Sequence, residues 1–444
     1  MKETTWAEFG DYTEQLMHEE HIAGAAVAVS RDGEIIYANG FGVRDEATQR
    51  PVTPETLFGI ASISKSFTAL VISQFADEGL LCVDDPVVEH LPEFKLCGVQ
   101  EIRHVKIRHL LSHTTGLPPM KRRQDIELFD AHIDYLAEAS YRILGEPGEY
   151  FSYCNDAFLL LGAIIERVTG QLYRRVMSER ILHRLGMDHS TYSLEEVKKF
   201  TNVSVPYIYS KEKDSWDTPP WPDLGTYEVG GGVRSNVLDL MKYGQVYVCD
   251  GMYEGERIVS AEGIRRMWEP VHRVGRGSYY GFALRVTPEY EGVTLVEHGG
   301  GQPGVSSNFG FIPERGIAAA VLTNVTGVPA DCIWLAAVNT ALGLSLDRQR
   351  SEEPYYDASQ EEMERFIGTY CSKEGGSLRI FSEDGCVRAE TNGEVFPVRA
   401  SDERTLVLVG PKRRNVISFF FDESNRPWAA FAGMRMLRRI PQVV

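Results

Sequence analysis

The hydrophobic pattern of the chain changes near residue 345, and this change constrains the fold more than any other feature. Up to Leu344, apolar segments with helical spacing alternate with short segments that favour β-strands. A polar stretch follows, which we interpret as a linker. From Phe366 to Val444 the sequence contains short alternating segments separated by Gly, Asp and Asn, typical of a small β-barrel or sandwich. The predicted domains are 1–345 (α/β), 346–361 (linker) and 362–444 (all-β).

The composition excludes several classes of protein. The net charge of −17 repels nucleic acid and anionic lipid, so we expect neither as a partner. Seven cysteines without a C-x-x-C pair argue against a disulfide framework or a structural zinc site, and we expect no cofactor. The longest apolar runs, such as Phe158 to Ile165, are too short to span a bilayer, and Met1 to Met17 does not resemble an export signal. We therefore expect a soluble, cytoplasmic protein.

Apolar periodicity and turn residues predict several local elements of the first domain. One β-hairpin is expected at 24–43 around the turn Arg31-Asp32-Gly33, and a second joins 304–312 to 317–323. A Pro- and aromatic-rich stretch at 200–228 predicts a long loop region. Three helices are predicted: Ser64 to Leu80, which Gly79 ends; Asn155 or Asp156, either of which could be the cap, to Gly170; and Ala330 to Leu342.

Ser62 and Lys65 form an S-x-x-K motif at the start of the first of these helices. A serine hydroxyl is a poor nucleophile at neutral pH and needs a base within hydrogen-bond reach. Positions three apart share one face of a helix, so hydroxyl and amine should lie side by side. Burial would lower the pKa of the Lys65 amine, and the positive end of the helix dipole would favour a developing oxyanion. We interpret Ser62 as a candidate nucleophile and Lys65 as its base.

The chain contains a second S-x-x-K copy, from Ser210 to Lys213. Charged residues flank this copy, so Lys213 should be a solvated ammonium with no reason to lose its proton. Ser62, in contrast, follows small residues and precedes an apolar helix. The context of the motif therefore separates the two copies.

Tyr153 and Asn155 lie one residue apart in the stretch SYCN. In an extended loop both side chains face the same way, just before the second predicted helix. A phenol beside a lysine ammonium is stabilised as phenolate, which would give a base or proton shuttle near neutrality. The alternative is a packed tyrosine followed by a helix cap.

Glycines follow a short predicted strand in EHGGGQPG, residues 297–304. From Gly299 to Gly301 the absence of side chains would let a substrate approach and leave backbone N–H groups free to bind an oxyanion. The run VGGGV at 229–233 looks the same, so the glycines alone do not identify a site.

Taken together, SISK (62–65), YCN (153–155) and HGG (298–300) resemble, in order and approximate separation, the three catalytic motifs of the serine β-lactamase and penicillin-binding-protein superfamily. The class C β-lactamase branch, with its esterase, D-aminopeptidase and D,D-peptidase relatives, is the most similar. The resemblance covers about Met17 to Leu344. It implies a β-lactamase/transpeptidase-like α/β (α+β) fold, with an antiparallel sheet flanked by helices and a helical subdomain.

The resemblance also implies a role for each matching residue. Ser62 would attack the carbonyl, while Lys65 and Tyr153 would share its proton. Asn155 would hold Lys65 and the substrate amide. The oxyanion would lie between the backbone N–H groups of Ser62 and Gly301. The remaining substrate-binding positions would be His298, Gly299 and Gly300.

Two positions depart from the family pattern. His298 replaces a permanently charged lysine, so the site loses part of the cation that would bind a substrate carboxylate. Gly299 removes a hydroxyl that the family often has. Both changes disfavour efficient β-lactam hydrolysis and strict D,D-carboxypeptidase activity, and relatives with H-x-G here resemble D-aminopeptidases or esterases. The C-terminal strands resemble the lipocalin-like domain of some of these peptidases, which implies a barrel that restricts the cleft to short substrates.

Three other interpretations compete with this one. His109 and His113 lie four apart on a predicted helix, as zinc ligands can, but the adjacent glutamate and a third ligand are missing. An α/β-hydrolase would need G-x-S-x-G, which the chain lacks. A silent penicillin-binding or sensor protein would show damage to Ser62, Lys65 or Tyr153, and all three are intact.

The sequence thus predicts a serine hydrolase that acts through an acyl-enzyme on amide or ester bonds of small substrates. A peptidase or amidase of D-aminopeptidase or D,D-peptidase type is favoured, and a carboxylesterase or weak β-lactamase is the alternative on the same machinery. The expected partners are a small-molecule or short-peptide substrate. A homo-oligomer is left open.

Overall fold

The computed structural model describes residues 5–410 and 416–441. Its helices are α1 Trp6–Glu19, α2 Ser64–Asp77, α3 Val87–His90, α4 Ile107–Leu111, α5 Phe129–Glu138, α6 Asn155–Thr169, α7 Tyr173–Met177, α8 Leu194–Val197, α9 Glu228–Gly231, α10 Val237–Val248, α11 Ala261–Arg266, α12 Ala330–Leu342 and α13 Gln360–Glu364. Within the described residues no helix is both long and apolar enough to cross a membrane. The cytoplasmic location stays a prediction.

The strands from β3 to β9 are short, whereas the first two strands and most strands after residue 272 are longer. They are β1 Gly24–Arg31, β2 Glu34–Asp45, β3 Arg50–Pro51, β4 Phe58–Gly59, β5 Ile208–Ser210, β6 Ser215–Asp217, β7 Arg234–Ser235, β8 Met252–Tyr253, β9 Glu256–Arg257, β10 His272–Gly275, β11 Ser278–Tyr280, β12 Arg285–Tyr290, β13 Val293–Gln302, β14 Val305–Ile312, β15 Ile317–Thr323, β16 Gly368–Cys371, β17 Ser377–Glu383, β18 Cys386–Thr391, β19 Glu394–Asp402, β20 Thr405–Leu408, β21 Val416–Phe421, β22 Pro427–Ala432 and β23 Arg435–Arg439.

An antiparallel sheet organises the first domain. In the described part of the chain its strand order is β10-β11-β12-β13-β14-β15-β1-β2-β3. Both faces of strand β1 are buried, and its alternate side chains point to opposite sides of the sheet. Ala26 and Ala28 of β1 pack into a core shared with α2, α6 and α10. Ala25 and Val27 pack into a second core shared with α1 and α12. The sheet therefore lies between two layers of helices, as predicted.

Both predicted hairpins of this sheet are confirmed. Strands β1 and β2 pair around Asp32 and Gly33, whose φ angles of +51° and +87° suit the tight turn that right-twisted strands favour. Strands β14 and β15 pair in register from Ser306↔Thr323 to Ile312↔Ile317. Within the predicted loop region at 200–228, the structure adds the small hairpin of β5 and β6.

The three predicted helices are also present, with one error at a boundary. Helix α2 ends before Gly79, and α12 ends before Gly343, which has a left-handed conformation. The N-cap of α6 is Cys154, without a side-chain hydrogen bond. The prediction that Asn155 or Asp156 caps this helix is therefore wrong, because both residues lie inside its first turn.

The C-terminal strands close into a barrel. Within the described residues it has eight strands, β16 to β23 in sequence order, and β16 pairs with β23 to complete the closure. Buried apolar side chains fill the interior, among them Phe366, Tyr370, Leu378, Ile380, Leu406 and Phe419. The predicted all-β barrel is confirmed, whereas the domain boundaries at residues 345 and 361 stay predictions.

Candidate active site

Ser62 lies in a short 3-10 turn, Ala61–Ile63, immediately before α2. Its neighbour Ala61 has φ +47°, a left-handed conformation that costs an alanine roughly 1 kcal/mol or more. Ser62 therefore precedes the first turn of α2 instead of lying within it, which differs from the expected position. The Nζ atom of Lys65, on the first turn of α2, is 3.4 Å from Ser62 Oγ.

The Lys65 amine is enclosed by acceptors from two other segments. Its Nζ donates to Asn155 Oδ1 at 2.8 Å and to the carbonyl oxygen of Gly230 at 3.0 Å. The lysine is only 1% exposed. Burial, followed by the positive charges of Arg122 and Arg435, lowers the pKa of Lys65 well below its usual value. The predicted burial and lowered pKa of Lys65 are thus present, whereas its role as the base for Ser62 stays a prediction.

Gly230 was not identified from the sequence, although it belongs to the run VGGGV. A Cβ atom at this position would stand 2.6 Å from Lys65 Nζ, so a larger residue would displace the amine. The glycine on α9 therefore provides both an acceptor and the space that the lysine occupies. The signal was present in the sequence as a second glycine run, but nothing local distinguished it from a turn.

Asn155 lies at the start of α6, and its side chain bridges two residues on opposite sides of the pocket. Its Oδ1 accepts from Lys65, and its Nδ2 donates to Glu374 Oε1 at 3.2 Å. Asn155 is the first residue of α6, after the N-cap Cys154, and its amide oxygen binds the lysine. Asn155 thus holds Lys65, which is the first of the two roles that the family resemblance implies.

The ring of Tyr153 packs against the lysine and a buried histidine. Lys65 Nζ lies 4.9 Å from the ring centroid, and the His113 ring lies 4.2 Å away. The phenol oxygen is buried without a hydrogen bond of ordinary geometry to any described residue. Burial raises the pKa of Tyr153 above its usual value, and the nearby Ser62 hydroxyl and Arg435 only partly oppose this. The expectation of a phenolate near neutrality is therefore wrong, and the resting side chain is a neutral phenol.

His298 precedes the glycines on β13 and is neutral at pH 7. Burial, with a smaller effect from Lys65, lowers its pKa to about 4. The ring nitrogen Nδ1 lies 2.6 Å from the carbonyl oxygen of Gly299, and Nε2 lies 2.9 Å from the hydroxyl of Tyr280. These contacts are consistent with an Nδ1–H tautomer whose Nε2 accepts from Tyr280. The position thus lacks a cation, as expected.

The three glycines of β13 differ in their surroundings. A Cβ at Gly300 would stand 2.4 Å from the carbonyl oxygen of Ile60 and 3.1 Å from the Cβ of Ala61, so this glycine lets the strand pass directly beside the turn that carries Ser62. Gly301 faces open space, because a Cβ there would have no described atom within 4 Å beyond its chain neighbours. A Cβ at Gly299 would lie 3.2 Å from Asn308 Oδ1, on β14. Gly300 therefore lies directly beside the turn that carries Ser62, and the next residue, Gly301, leaves open space on its side of the strand.

The two histidines of the zinc interpretation make structural contacts. His109 Nδ1 accepts from the backbone N–H of Lys106, at the start of α4. His113 follows the end of α4, and its Nδ1 accepts from the backbone N–H of Cys154 at 3.2 Å. Among the described residues no group of His, Cys, Asp and Glu is arranged to hold a metal ion. His113 instead supports the segment that carries Tyr153.

The second S-x-x-K copy lies on the exposed hairpin of β5 and β6. Lys213 Nζ pairs with the carboxylate of Asp217 at 3.0 Å, and the lysine is exposed. This lysine therefore lies at the protein surface, paired with a carboxylate, and not in an enclosed pocket like that of Lys65. Ser210 therefore provides a natural comparison for Ser62.

The barrel also reaches this pocket, as the family resemblance implies, although the sequence did not indicate which of its residues would do so. The backbone N–H of Tyr153 donates to the carbonyl oxygen of Met434 at 2.9 Å, and the N–H of Met436 donates to Ser152 Oγ at 3.2 Å. Arg435 lies over the Tyr153 ring, with its Cζ atom 5.0 Å from the ring centroid. The structure therefore brings Ser62, Lys65, Tyr153 and Asn155 together and adds Arg435 and Glu374 at their edge.

Comparisons with known proteins agree with this geometry. A model of the Beta-lactamase family matches residues 9–340. Penicillin-binding protein 4 of Amycolatopsis lactamdurans is 29% identical over 324 residues, which are 70% of this chain and 82% of that protein. Penicillin-binding protein 4* of Bacillus subtilis (strain 168) is 26% identical over 414 residues, 86% of this chain and 88% of that protein. The solved octameric penicillin-binding protein homologue from Pyrococcus abyssi is 29% identical, with a TM-score of 0.73, over 98% of this chain and 100% of its own.

Proposed function

The chain belongs to the Beta-lactamase family, and from that membership we propose that it is a serine hydrolase that cleaves amide bonds of small peptides through an acyl-enzyme. The proposed activity is of D-aminopeptidase or D,D-peptidase type. One observation carries the proposal: a buried lysine amine, bound by Asn155 and Gly230, faces the Ser62 hydroxyl at 3.4 Å. A hydroxyl beside an amine whose pKa is lowered by burial is the kind of pairing that activates a serine nucleophile.

In the proposed reaction, Ser62 Oγ attacks the carbonyl carbon while its proton passes to the Lys65 amine. The backbone N–H groups of Ser62 and Gly301 hold the oxyanion of the tetrahedral intermediate. Tyr153 relays the proton to the leaving nitrogen as the C–N bond breaks, which leaves the acyl group on Ser62. A water molecule then attacks the acyl carbon, the bond between that carbon and Ser62 Oγ breaks, and the proton of the water passes through Tyr153 and Lys65 to Ser62 Oγ.

The surroundings of the pocket favour short substrates over polymers and β-lactams. His298 is neutral, so its position gives no charge to bind the carboxylate of a β-lactam. Glu374 and Arg435 of the barrel lie against Asn155 and Tyr153, which narrows the space beyond the nucleophile. A short peptide or amide fits such a cleft better than a polymer does.

A substrate panel tests the proposed activity. The panel contains D- and L-aminoacyl amides, short peptides, p-nitrophenyl esters and nitrocefin, compared by kcat/KM. We expect the amides and peptides to be preferred, and Ser62→Ala and Lys65→Ala to lose activity while Ser210→Ala and Lys213→Ala retain it. A preference for esters or nitrocefin would replace the peptidase proposal with one of its alternatives. Inactivity on the whole panel, or full activity of Ser62→Ala, would contradict the acyl-enzyme.

The assembly of one relative supports a second proposal, that this chain forms a homo-oligomer. The Pyrococcus abyssi homologue, similar along nearly the whole chain, is octameric. Light scattering coupled to size-exclusion chromatography would test this, and a monomer at micromolar concentration would contradict it.

A further inference from the structure

Two turns of the barrel touch the catalytic centre. The turn between β16 and β17 carries Glu374, and its neighbour Lys373 donates to the carbonyl oxygen of Ser140. The turn between β22 and β23 carries Met434, whose carbonyl oxygen accepts from the N–H of Tyr153, and leads into Arg435. The barrel therefore contacts the segment before α6 through both backbone and side-chain atoms.

An unbroken chain of hydrogen bonds joins the barrel to the nucleophile. Arg435 donates from Nε to Glu374 Oε2 and from Nη2 to Oε1, the latter at 3.3 Å. Glu374 Oε1 also accepts from Asn155 Nδ2 at 3.2 Å. Asn155 Oδ1 in turn accepts from Lys65 Nζ, which lies 3.4 Å from Ser62 Oγ. Because the carboxylate accepts only, it selects the orientation in which the amide oxygen of Asn155 faces the lysine.

Arg435 has a second contact with the same centre. Its guanidinium lies over the face of Tyr153, where a cation is attracted to the ring. The side chain is held on its other side by the ion pair with Glu374. Its position is thus determined by partners in both domains, and its charge lies beside the proton-transfer residues.

We propose that Glu374 and Arg435 are positioning residues of the catalytic centre, through which the barrel orients Asn155 and sets the charge around Lys65. The proposal rests on the proposed function, since the protonation state of Lys65 matters to catalysis only if Ser62 is acylated. The barrel is then part of the catalytic apparatus and more than a wall of the cleft.

The two charges act on Lys65 in opposite directions. Arg435 lowers the pKa of Lys65, and Glu374 raises it, while burial has the largest effect. The titratable and charged groups that face Lys65 and Tyr153 from the surrounding segments are Arg122, His113, Cys154, Tyr280, His298, Glu374 and Arg435. Arg122 also lowers the pKa of Lys65. Because every variant retains Arg122, a difference in the pKa of Lys65 between variants comes from Glu374 or Arg435.

The sign of each expected effect follows from the role of the amine as a base. Acylation should slow as the pH falls through the pKa of Lys65, because the protonated amine cannot accept the Ser62 proton. Arg435→Gln removes a cation and raises the pKa of Lys65, so the fall in acylation rate on the acid side of the pH–rate profile, its acid limb, should begin at higher pH. Glu374→Gln keeps an acceptor for Asn155 but removes the negative charge, which lowers the pKa and moves the limb to lower pH.

Two measurements on the full-length protein test the proposal. The ¹³C shift of the Lys65 Cε atom, assigned with Lys65→Arg in protein labelled with ¹³C-lysine, reports its titration without any turnover. The pH dependence of Ser62 labelling by a fluorophosphonate probe reports acylation. At a pH on the acid limb we expect Arg435→Gln to be slower, and Glu374→Gln faster, by about three- to tenfold, as expected for a neighbouring charge at an effective dielectric constant of about 20.

The controls separate charge from packing. Arg435→Lys keeps the cation and should restore most of the wild-type profile, whereas Arg379→Gln removes the arginine of an exposed barrel ion pair with Glu390 and should change neither readout. Opposite displacements of the Lys65 titration support the proposal. Displacements in the same direction, or none, overturn it. If Arg435→Gln does not fold, an unchanged titration in Glu374→Gln overturns it alone.

These outcomes are distinct from failure of the proposed function. A wild-type protein that does not acylate, yet shows opposite displacements of the Lys65 titration, contradicts the hydrolase and supports the arrangement. Normal acylation by the wild type, with an unchanged pKa of Lys65 in both variants, supports the hydrolase and overturns the positioning proposal.

Discussion

Asn155 binds the base and the barrel at the same time, because its Oδ1 accepts from Lys65 and its Nδ2 donates to Glu374, 219 positions later in the chain. The relationship connects the proton acceptor of the proposed reaction to a turn of the C-terminal domain. Asn155 can make both contacts because it is the first residue of α6, after the N-cap Cys154, and its side chain is not engaged in capping the helix.

Tyr153→Phe should slow acylation by at least ~10²-fold, the scale for loss of a positioned proton-transfer group. The phenol oxygen is buried without a described hydrogen-bond partner, so its removal should leave stability nearly unchanged. Stopped-flow acylation rates and a thermal melt measure the two effects. Tyr209→Phe, which removes a hydroxyl bound to Asp214 on an exposed hairpin, is the matched control. A near-normal rate for Tyr153→Phe would refute its role as a proton relay.

Gly230→Ala should reduce acylation by about two orders of magnitude, comparable with the loss of the base itself. The new Cβ would stand 2.6 Å from Lys65 Nζ and push the amine from its position opposite Ser62. Gly231→Ala is the control, since its Cβ would meet atoms no closer than 3.7 Å. The two variants are compared by the rate of probe labelling. Equal rates would show that the lysine tolerates displacement and that Gly230 has no role in placing it.

His298→Lys should raise kcat/KM for substrates that carry a carboxylate near the scissile bond by roughly tenfold, the scale of one charged hydrogen bond. The wild-type imidazole, with its pKa at about 4, is uncharged at pH 7, whereas a lysine would add a cation. Matched substrates with and without the carboxylate are compared. His298→Gln is the neutral control, and His298→Ala should cause only a mild loss. A similar gain in the glutamine variant would exclude charge as the cause.

Asp156→Asn should stabilise the fold at pH 7.5 but much less at pH 4. Burial raises the pKa of Asp156 to about 6, so the folded state holds this proton more tightly than the unfolded state does. The contribution to stability is complete below the unfolded pKa and is lost as pH rises through about 6. The difference should reach about 2 to 3 kcal/mol in the free energy of unfolding.

Urea unfolding of the wild type and Asp156→Asn at the two pH values measures this difference. Tyr227 can still donate to an asparagine oxygen at this position, as it does to Asp156 Oδ1 at 2.7 Å, so the substitution removes charge and preserves the contact. The exposed Asp134, on α5, provides a control substitution to asparagine. An advantage of Asp156→Asn that is the same at both pH values would contradict the titration.

Local pattern predicted much of this molecule. Alternation and turn residues placed the hairpins, and helical spacing placed α2, α6 and α12, because each of these patterns reports the buried face of a single segment. Motif spacing, with the family resemblance, selected Ser62, Lys65, Tyr153 and Asn155 as candidates; the structure brings them together, and their catalytic roles stay predictions.

The remaining site residues depend on contacts that no local pattern contains. Gly230 contributes a backbone carbonyl and empty space, which look the same in any glycine-rich turn. Glu374 and Arg435 belong to ordinary polar turns of a barrel, and only the packing of the two domains brings them to Asn155 and Tyr153. The raised pKa of Tyr153 is hidden from local pattern for a related reason, since the burial of the phenol depends on distant neighbours such as His113 and Tyr280.

The most direct test of the account is the location of the acyl group during turnover. The protein is mixed with a preferred substrate or penicillin, quenched in acid within the first turnover, and digested for peptide mass mapping. We expect one acyl group per chain on Ser62, absent from Ser62→Ala and unchanged in Ser210→Ala. Substrate hydrolysis without an adduct on Ser62, or an adduct that persists in Ser62→Ala, would contradict the central claim that this serine is the nucleophile.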